Sequence, residues 1–361
     1  MKKGHKTNLA ILTGLLSACA LGFGQIMENP AKPTALNAGR VLGLTELWRI
    51  SDEGGEFYFK YPHYLEIAED GSVFLADTEQ FLKFSADGKF LANLYKKGQG
   101  PGEIGREFYY HLRGRDLFIQ DLNSRRFWRA DLDGRFQEPI NVASKDNRGL
   151  VVGLFSDGFL FLKTSYPPPS ERTGKLMEIL YQVVLVGPDG SERREVATFR
   201  PKEFLGFNSG MSWDPSIMEL SPDRTLLYAV HSRDYVVDVI DLASGAQVRS
   251  FKRNYPKVDH VDKEWEPDFG KRTGAPRIEF ESDVVNLFPL EEGLWVVTST
   301  EDKAKGRLID VFDMDGRFVD SFYLGAGRTL MAVRPGFVIC REQNEDETIT
   351  IVKYKIDTNT P

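Results

Sequence analysis

Four side chains that can bind a metal ion or transfer a proton lie within short apolar runs far apart in the chain. They are Glu66, His111, Glu219 and Asn286. Carboxylate and amide oxygens suit calcium, whereas an imidazole suits zinc or acid–base catalysis. The sequence has no HExxH or His-x-His spacing, in which one element would hold two ligands. These residues can therefore act together only if the fold brings several separate strands to one point.

A glycine-rich segment, GQGPGEIGREF at 98–108, offers a second kind of chemistry. A phosphate-binding loop would need Gly-x-x-x-x-Gly-Lys-Ser/Thr before a helix, and a dinucleotide site would need a strand–helix–strand unit. Neither pattern is present, so we interpret the segment as a crossover whose glycines and proline fix the backbone. In the alternative, it also shapes a binding face. The candidate ligand-binding residues are then Gln99, Glu103, Arg106 and Tyr109.

A charge-rich insertion places several carboxylates around His260 and includes Trp265. Its spacing matches no metal-binding motif, and a solvated loop is the simpler interpretation. The alternative is a lid that presents aromatic side chains over one mouth of the fold, which makes Trp265 a further candidate ligand-binding residue. The segment from His231 to Asp234 is interpreted as a polar turn, with a binding site as its alternative.

Composition limits the classes of function. The chain has 361 residues, 41% of them hydrophobic and 12% aromatic, which is enough for a large core. Its net charge is −7 and its pI about 5.5, so the basic surface that nucleic-acid binding requires is not indicated. Cys340 lies in an apolar run, and with Cys19 as the other cysteine the sequence predicts no disulfide framework.

The first residues are typical of an export signal. A basic start and a short apolar run lead to Leu16-Ser17-Ala18-Cys19, which looks like a bacterial lipobox. We therefore predict a lipoprotein signal peptide at 1–18, lipidation of Cys19 and a flexible tether at 19–39. The alternative is an ordinary secretory signal cut near Gly24-Gln25. The predicted location is the periplasm or the outer membrane, with membrane contact through the lipid anchor only.

A repeat organises the rest of the chain. The segment GSVFLADTEQFLKFSADGKFLANL at 71–94 aligns with RDLFIQDLNSRRFWRADLDGRFQEPI at 115–140. Asp77 then matches Asp121, at the end of a strand in each unit. We interpret both as structural acids that accept hydrogen bonds from nearby backbone. Asp-Gly turns between alternating apolar runs indicate hairpins, and a period of about 40–45 residues is typical of a β-propeller blade.

Six copies of the VFLAD-like strand can be counted between residues 73 and 341. We therefore predict an all-β, six-bladed β-propeller of four-stranded blades over 40–357. The last unit stops one strand short, and a spare strand at 41–50 precedes the first unit. This N-terminal strand is expected to join the last blade and close the ring, which hides the exposed strand edges.

The segment GSVFLADTEQFLKFSADGKF followed by GQGPGEIGREF resembles the NHL-repeat pattern, and the chain is similar to bacterial lipoprotein-like six-bladed propellers of that kind. The likeness is good over 64–140 and rests on strand and turn spacing alone from there to 356. Blades three to five depart from the pattern by insertions. The resemblance implies a fold and a habit of binding on one face, without implying a reaction.

Two functions follow as hypotheses. The first is a binding or scaffold module, without a cofactor, that takes a peptide, glycan or protein partner on its loop-rich face. The alternative resembles metal-dependent propeller hydrolases, lactonases or lyases, which hold a metal in the central channel. Under that alternative Glu66, His111, Glu219 and Asn286 are the channel candidates, and calcium is the candidate metal.

Overall fold

The computed structural model shows an all-β ring of six small sheets, a six-bladed β-propeller. It describes residues 26–357 apart from residues 53, 99, 101, 125, 138, 141–148, 156–157, 172–175, 205–215, 263–276 and 345–346. One short 3₁₀ turn at Pro169–Glu171 is the helical element of the described part. Within those ranges no helix has the length and apolar character to cross a bilayer.

Five blades contain four antiparallel strands, numbered here from the central channel outwards. Blade 1 contains Tyr64–Ile67, Val73–Asp77, Gln80–Phe84 and Phe90–Asn93. Blade 3 contains Gly149–Phe155, Gly158–Ser165, Leu180–Val186 and Glu192–Phe199. Blade 4 contains Ser216–Leu220, Leu226–His231, Val236–Asp241 and Gln247–Arg253. Blade 5 contains Val284–Leu290, Gly293–Asp302, Gly306–Asp313 and Phe318–Tyr323.

Blade 2 is less regular. Its strands are Phe108–Arg113, Asp116–Asp121 and Arg126–Asp131. Two isolated bridges, from Phe127 to Ile140 and from Ala130 to Phe136, occupy the place of a fourth strand. A separate two-stranded ribbon pairs Leu176–Glu178 with Lys202–Phe204 beside blade 3. Four strands per blade thus holds for five of the six blades in the described part.

The ring closes as the sequence predicts. Blade 6 contains Arg328–Arg334, Phe337–Gln343 and Ile349–Ile356, and its outermost strand is Leu44–Ile50 from the start of the chain. The closing pair is antiparallel, with Ile50 opposite Ile351 and Leu44 opposite Ile356. Residues from both ends of the propeller therefore complete one blade.

Residues 26–43 form an N-terminal strap along the outside of the ring. Met27–Asn29 runs parallel to the outermost strand of blade 4, and Arg40–Val41 runs parallel to that of blade 5. Between them, the N–H of Ala35 donates to the carbonyl of Val319. Residues 26–39, expected to belong to a flexible tether, are thus placed against two blades. Residues 19–25 lie outside the described residues.

Apolar side chains from neighbouring blades meet and form the core. Between blades 1 and 2, the cluster includes Phe74, Phe81, Tyr110, Leu117 and Trp128, all at most 3% exposed. Each such side chain contributes about 1.5–3 kcal/mol relative to leaving it in water. The continuous apolar runs VFLAD and LFIQD are therefore strands that the adjoining blades cover on both faces.

A β-bulge recurs on the outermost strands. In blades 1, 4 and 6 the residue without a cross-strand partner is Leu91, Val248 and Leu47, respectively. Each of these three side chains is 52% exposed. Bulges increase local twist and blunt exposed edges, which is consistent with their position at the rim of the ring.

The antiparallel order gives the ring two distinct faces. The loop-rich face carries the crossovers between blades and the turns that join the second and third strands of each blade. Its described crossovers are the described parts of 51–63, 94–107, 254–283 and 324–327. The Asp-Gly hairpins, for example the turn at 85–89 closed by Ser85 and Lys89, lie on the opposite face.

Candidate functional site

Three of the four channel candidates come together where the first strands of blades 1, 2 and 4 meet. Glu66 Oε1 lies 3.2 Å from His111 Nδ1 and accepts a hydrogen bond of 2.7 Å from the hydroxyl of Tyr64. The other ring nitrogen of His111 lies 2.9 Å from the carbonyl oxygen of Val151. Both imidazole nitrogens thus face acceptors, a geometry that suits the protonated ring.

The electrostatics of the channel agree with this geometry. Burial alone would lower the pKa of His111, but the hydrogen bond and charge of Glu66 outweigh it, and the pKa is raised overall. The second oxygen of Glu66 accepts the N–H of Leu112 at 2.7 Å. The Glu66–His111 pair is therefore satisfied by protein groups.

Glu219 completes this group from blade 4. Burial raises the pKa of its carboxyl to about 7, with the positive charge of His111 opposing and the negative charge of Glu66 adding to the shift. Its carboxylate makes no side-chain hydrogen bond with a described residue. A carboxyl that titrates near neutrality can accept or donate a proton, which is the chemistry this position offers.

Asn286 differs from the other three. A β-bulge between Val284 and Asn286 interrupts the alternation of the first strand of blade 5. Its Oδ1 accepts the N–H of Leu287 at 2.9 Å, and within the described residues it makes no hydrogen bond with Glu66, His111 or Glu219. In that part of the chain, no group of three or more His, Cys, Asp or Glu residues is arranged to hold a metal ion.

The glycine-rich crossover is built by its own contacts. Glu103 Oε2 accepts the N–H of Gly100 at 2.7 Å, so this carboxylate closes the loop on itself. Gln99 lies outside the described residues. Arg106 is exposed, and Tyr109 is 40% exposed at the start of the first strand of blade 2. Of the residues proposed from this segment, these last two present side chains to solvent.

The repeated acids have the structural role expected of them. Asp121 accepts the N–H of Gly105 at 3.0 Å and those of Asn123 and Ser124 in its own turn. In blade 1, Asp77 accepts the N–H groups of Lys60 and Tyr61. Each acid thereby fastens the incoming crossover to its own blade, and the repetition predicted this role.

A close approach explains one glycine of the crossover. A Cβ on Gly105 would lie 2.6 Å from both Asp121 Oδ1 and Asn123 Oδ1. Any other residue at this position would push the crossover away from its acceptor. The glycine at 105 is therefore explained by its close approach to two side chains of blade 2.

Blade 4 carries a histidine where blades 1 and 2 carry the acid. His231 is the last residue of the second strand, as Asp77 and Asp121 are in their blades. Both of its ring nitrogens are buried without a hydrogen-bond partner. Nδ1 lies 3.5 Å from Asp234 Oδ2. The neighbouring hydroxyl of Ser232 is also buried and unpartnered.

His231 and Asp234 line a cavity of about 1370 Å³. The cavity begins in the cleft between the outermost strand of blade 3 and blade 4, and continues over blade 4 to the edge of blade 5. Its lining combines cations with anions and aromatic rings. Representative members are Phe199, Arg200, His231, Tyr255, Lys257 and Asp283.

Charged groups of both signs are fixed around this cavity. Lys257 Nζ lies 2.8 Å from Asp283 Oδ2 and donates to the carbonyl of Arg233 at 2.9 Å. Burial raises the pKa of Asp283, and Lys257 opposes that shift. Burial also raises the pKa of Asp238, with the hydroxyl of Ser250 opposing it. A ligand with both charges would find complementary partners here.

Below the cavity, a buried ion pair joins blades 4 and 5. Arg253 pairs with Asp310, which is fully buried and accepts the hydroxyl proton of Tyr235 at 2.7 Å. Burial raises the pKa of Asp310 against the opposing effect of Arg253. This pair holds blades 4 and 5 together beneath the cavity. Removing either partner would leave a buried charge without compensation.

The charge-rich insertion is described only in part. His260 Nδ1 lies 2.8 Å from Glu281 Oε1, so the two described ends of the insertion are paired. Trp265 lies outside the described residues.

Sequence reasoning missed Lys257, Asp283 and the cavity itself. The sequence did contain one signal for this site. At His231, a histidine replaces the structural acid found at the same position of blades 1 and 2.

No family model matches the chain, and no curated protein sequence matches it. Among solved structures, it is similar to a "Putative exported protein" of Bacteroides fragilis, with a TM-score of 0.56 and 11% identity over 92% of this chain and 100% of that one. It is also similar to a member of the DUF4221 family from Bacteroides vulgatus, with a TM-score of 0.51 and 9% identity over 88% and 99%. At such identities the likeness shows the propeller fold alone.

Proposed function

We propose that this protein is an exported, lipid-anchored propeller of the NHL-repeat-like type that binds a peptide segment of a protein partner on its loop-rich face. The anchor is Cys19, and the location is the periplasm or the outer membrane. The export signal at the start of the chain supports this location. A structural neighbour that is itself named as exported adds further support.

The observation that carries the binding proposal is the cavity at blade 4 with unpartnered polar groups in its wall. Buried polar groups without partners are costly, and a bound ligand is one way in which they are satisfied. His231 offers a donor and an acceptor there. The channel group of Glu66 and His111, in contrast, is already satisfied by protein atoms.

The lining favours a peptide over a glycan. A peptide carries charges of both signs, apolar side chains and backbone hydrogen-bonding groups, and the cavity wall offers partners for each. A neutral glycan would leave the Lys257 and Asp283 charges without new partners. The elongated shape, from the blade 3–4 cleft to blade 5, also suits an extended chain.

The test is a binding screen with purified protein that begins after the signal peptide. A random peptide library and a glycan array are screened in parallel, and enriched ligands are measured by calorimetry. We expect enriched peptides whose affinity falls on substitution of Lys257→Ala and is unchanged by Glu219→Gln in the channel. Enrichment of glycans alone, or equal binding by the Lys257→Ala protein, would overturn the proposal.

A second candidate function is a metal-dependent hydrolase or lyase centred on the channel. The convergence of Glu66, His111 and Glu219, with the pKa of Glu219 raised to about 7, favours it. Carboxylate oxygens from two blades would suit calcium, and His111 would then serve as a proton donor or acceptor. Metal analysis of purified protein, with assays on lactone, ester and peptidyl substrates, tests this candidate. Tight metal with turnover that is lost in Glu219→Gln would establish it.

A further inference from the structure

The N-terminal strap is fastened firmly to the outside of the ring. Asn29 Nδ2 donates to the carbonyl of Gly316 at 2.9 Å, and its Oδ1 accepts the N–H of Phe318 at 2.8 Å. Further along, Arg40 makes a bidentate pair with Asp320, with both distances 2.9 Å. The strap is therefore joined to blades 4 and 5 by side-chain contacts as well as by strand pairing.

This attachment leaves little free chain before it. Eight residue steps separate Cys19 from Met27, where pairing with blade 4 begins. A fully extended chain covers at most about 3.6 Å per step, so the span is at most about 29 Å. A lipid on Cys19 would therefore hold the outer edge of blade 4 close to the bilayer surface.

Exposed apolar side chains lie on the same side of the ring. The strap exposes Ile26 at 41%, Leu36 at 105% and Val41 at 40%. The bulge residue Val248 in blade 4 adds one more. On the outermost strand of blade 1, opposite blade 4 in a ring of six, Leu91 is the exposed large apolar residue among those described.

We infer that the rim of blades 4 and 5, formed by the strap at 26–43 with the strand Gln247–Arg253, is a membrane-facing surface whose partner is a phospholipid bilayer. The inference rests on the lipidation of Cys19 proposed above. Shallow apolar contacts along the rim would add to the membrane binding that the acyl chains supply.

This arrangement sets the orientation of the molecule. The ring stands on its edge, with its channel axis parallel to the membrane plane. Blades 4 and 5 are then at the membrane, and the opposite blades 1 and 2 are farthest from it. The cleft between blades 3 and 4 opens beside the bilayer, which places the proposed peptide site within reach of membrane-attached partners.

Two equivalent positions provide a matched test. Val248 and Leu91 are the bulge residues of opposite blades, and both are 52% exposed. Val248→Cys and Leu91→Cys are made in the full chain. The label attaches only to the introduced thiol, because Cys19 is acylated and Cys340 is fully buried with a pKa that burial raises to about 12.

An environment-sensitive fluorophore is attached at each site, and the lipidated protein is placed in vesicles of phosphatidylethanolamine and phosphatidylglycerol. We expect the Val248 label to shift to shorter wavelength and to lose about half or more of its quenching by aqueous iodide. The emission wavelength and the iodide quenching of the Leu91 label should be the same in vesicles as in detergent-free buffer. Equal behaviour of the two labels on acylated protein would overturn the edge-on orientation.

Two further measurements separate the possible failures. Detergent-phase partitioning with Triton X-114 reports acylation directly, and protein that stays in the aqueous phase would overturn both the anchor and the orientation. A flexible Gly-Ser segment inserted after Gln25 keeps the lipid but frees the ring. This insertion should reduce the difference in emission wavelength and iodide quenching between the Val248 and Leu91 labels. An unchanged difference would show that the rim alone sets the orientation and would contradict the short-tether argument.

Discussion

Blades 1 and 2 differ from blade 4 at one repeated position, the end of the second strand. In the first two, Asp77 and Asp121 accept several backbone N–H groups and fasten the incoming crossover. In blade 4, His231 stands there; neither ring nitrogen makes a hydrogen bond, and Nδ1 lies 3.5 Å from the carboxylate of Asp234. The channel shows a related contrast, because Glu66 and His111 are hydrogen-bonded to protein groups, whereas the carboxylate of Glu219 in blade 4 makes no side-chain hydrogen bond with a described residue. At these two positions, blades 1 and 2 use their polar groups in structural hydrogen bonds and blade 4 does not.

The largest expected effect is on the structural acid. Asp121→Ala should lower the free energy of unfolding by about 3 kcal/mol, because it removes the acceptor of three backbone N–H groups, those of Gly105 in the crossover and of Asn123 and Ser124 in a partly exposed turn. Urea denaturation measures the change. Asp121→Asn, which keeps one acceptor oxygen, is the control and should cost less. A loss below about 0.5 kcal/mol for the alanine variant would contradict the fastening role.

The next effect concerns the glycine that faces this acid. Gly105→Ala should lower the free energy of unfolding by about 1–3 kcal/mol, because its Cβ would lie 2.6 Å from two side-chain oxygens. Thermal and urea unfolding measure it. Gly54→Ala, where a Cβ meets nothing within 4 Å, is the matched control and should be nearly neutral. Equal effects of the two changes would argue against a tight contact.

A smaller, pH-dependent effect is expected in the channel. Glu219 and His111 both have a raised pKa, so the folded protein holds their protons more tightly than the unfolded chain does. Stability should therefore fall as the pH rises from about 5 to 8. Glu219→Gln should remove part of this fall and gain about 1–2 kcal/mol at pH 8. Denaturation at both pH values tests it, and a variant with the wild-type pH profile would exclude Glu219 as the source.

The smallest effect on stability is expected at His231. His231→Ala should change the free energy of unfolding by less than about 1 kcal/mol, since the ring makes no hydrogen bond. The same change should weaken an enriched peptide about tenfold, as expected for the loss of one good polar contact. Calorimetry and urea denaturation on the same samples compare the two. A large loss of stability with unchanged binding would give His231 the role of Asp121 and remove the contrast between the blades.

The sequence predicted the ring and its closure because both depend on local alternation. The alternating residues of 44–50 identify a strand, and the missing strand of the last unit indicates its partner. The strap was not predicted, since a Pro- and Ala-rich segment has no strand pattern of its own. Its parallel pairing depends on strands more than 200 residues later in the chain.

The candidate sites were predicted less completely, and for a related reason. Regular alternation placed Glu66, His111 and Glu219 in the channel, but the bulge before Asn286 breaks that alternation. Glu103 has the chemistry of a ligand-binding residue and is used by its own loop. The side chains that line the cavity come from three blades and are far apart in sequence. No local motif could therefore predict it.

Ring closure also has a consequence for how the protein matures. The strand Leu44–Ile50 is synthesised about 300 residues before its partner Ile349–Ile356. Until the end of the chain emerges, the first strand has a free edge able to pair with other chains. Blade 6 is therefore complete only when nearly the whole propeller has been made, and a chain truncated before Ile349 should aggregate or be degraded instead of forming a shorter ring.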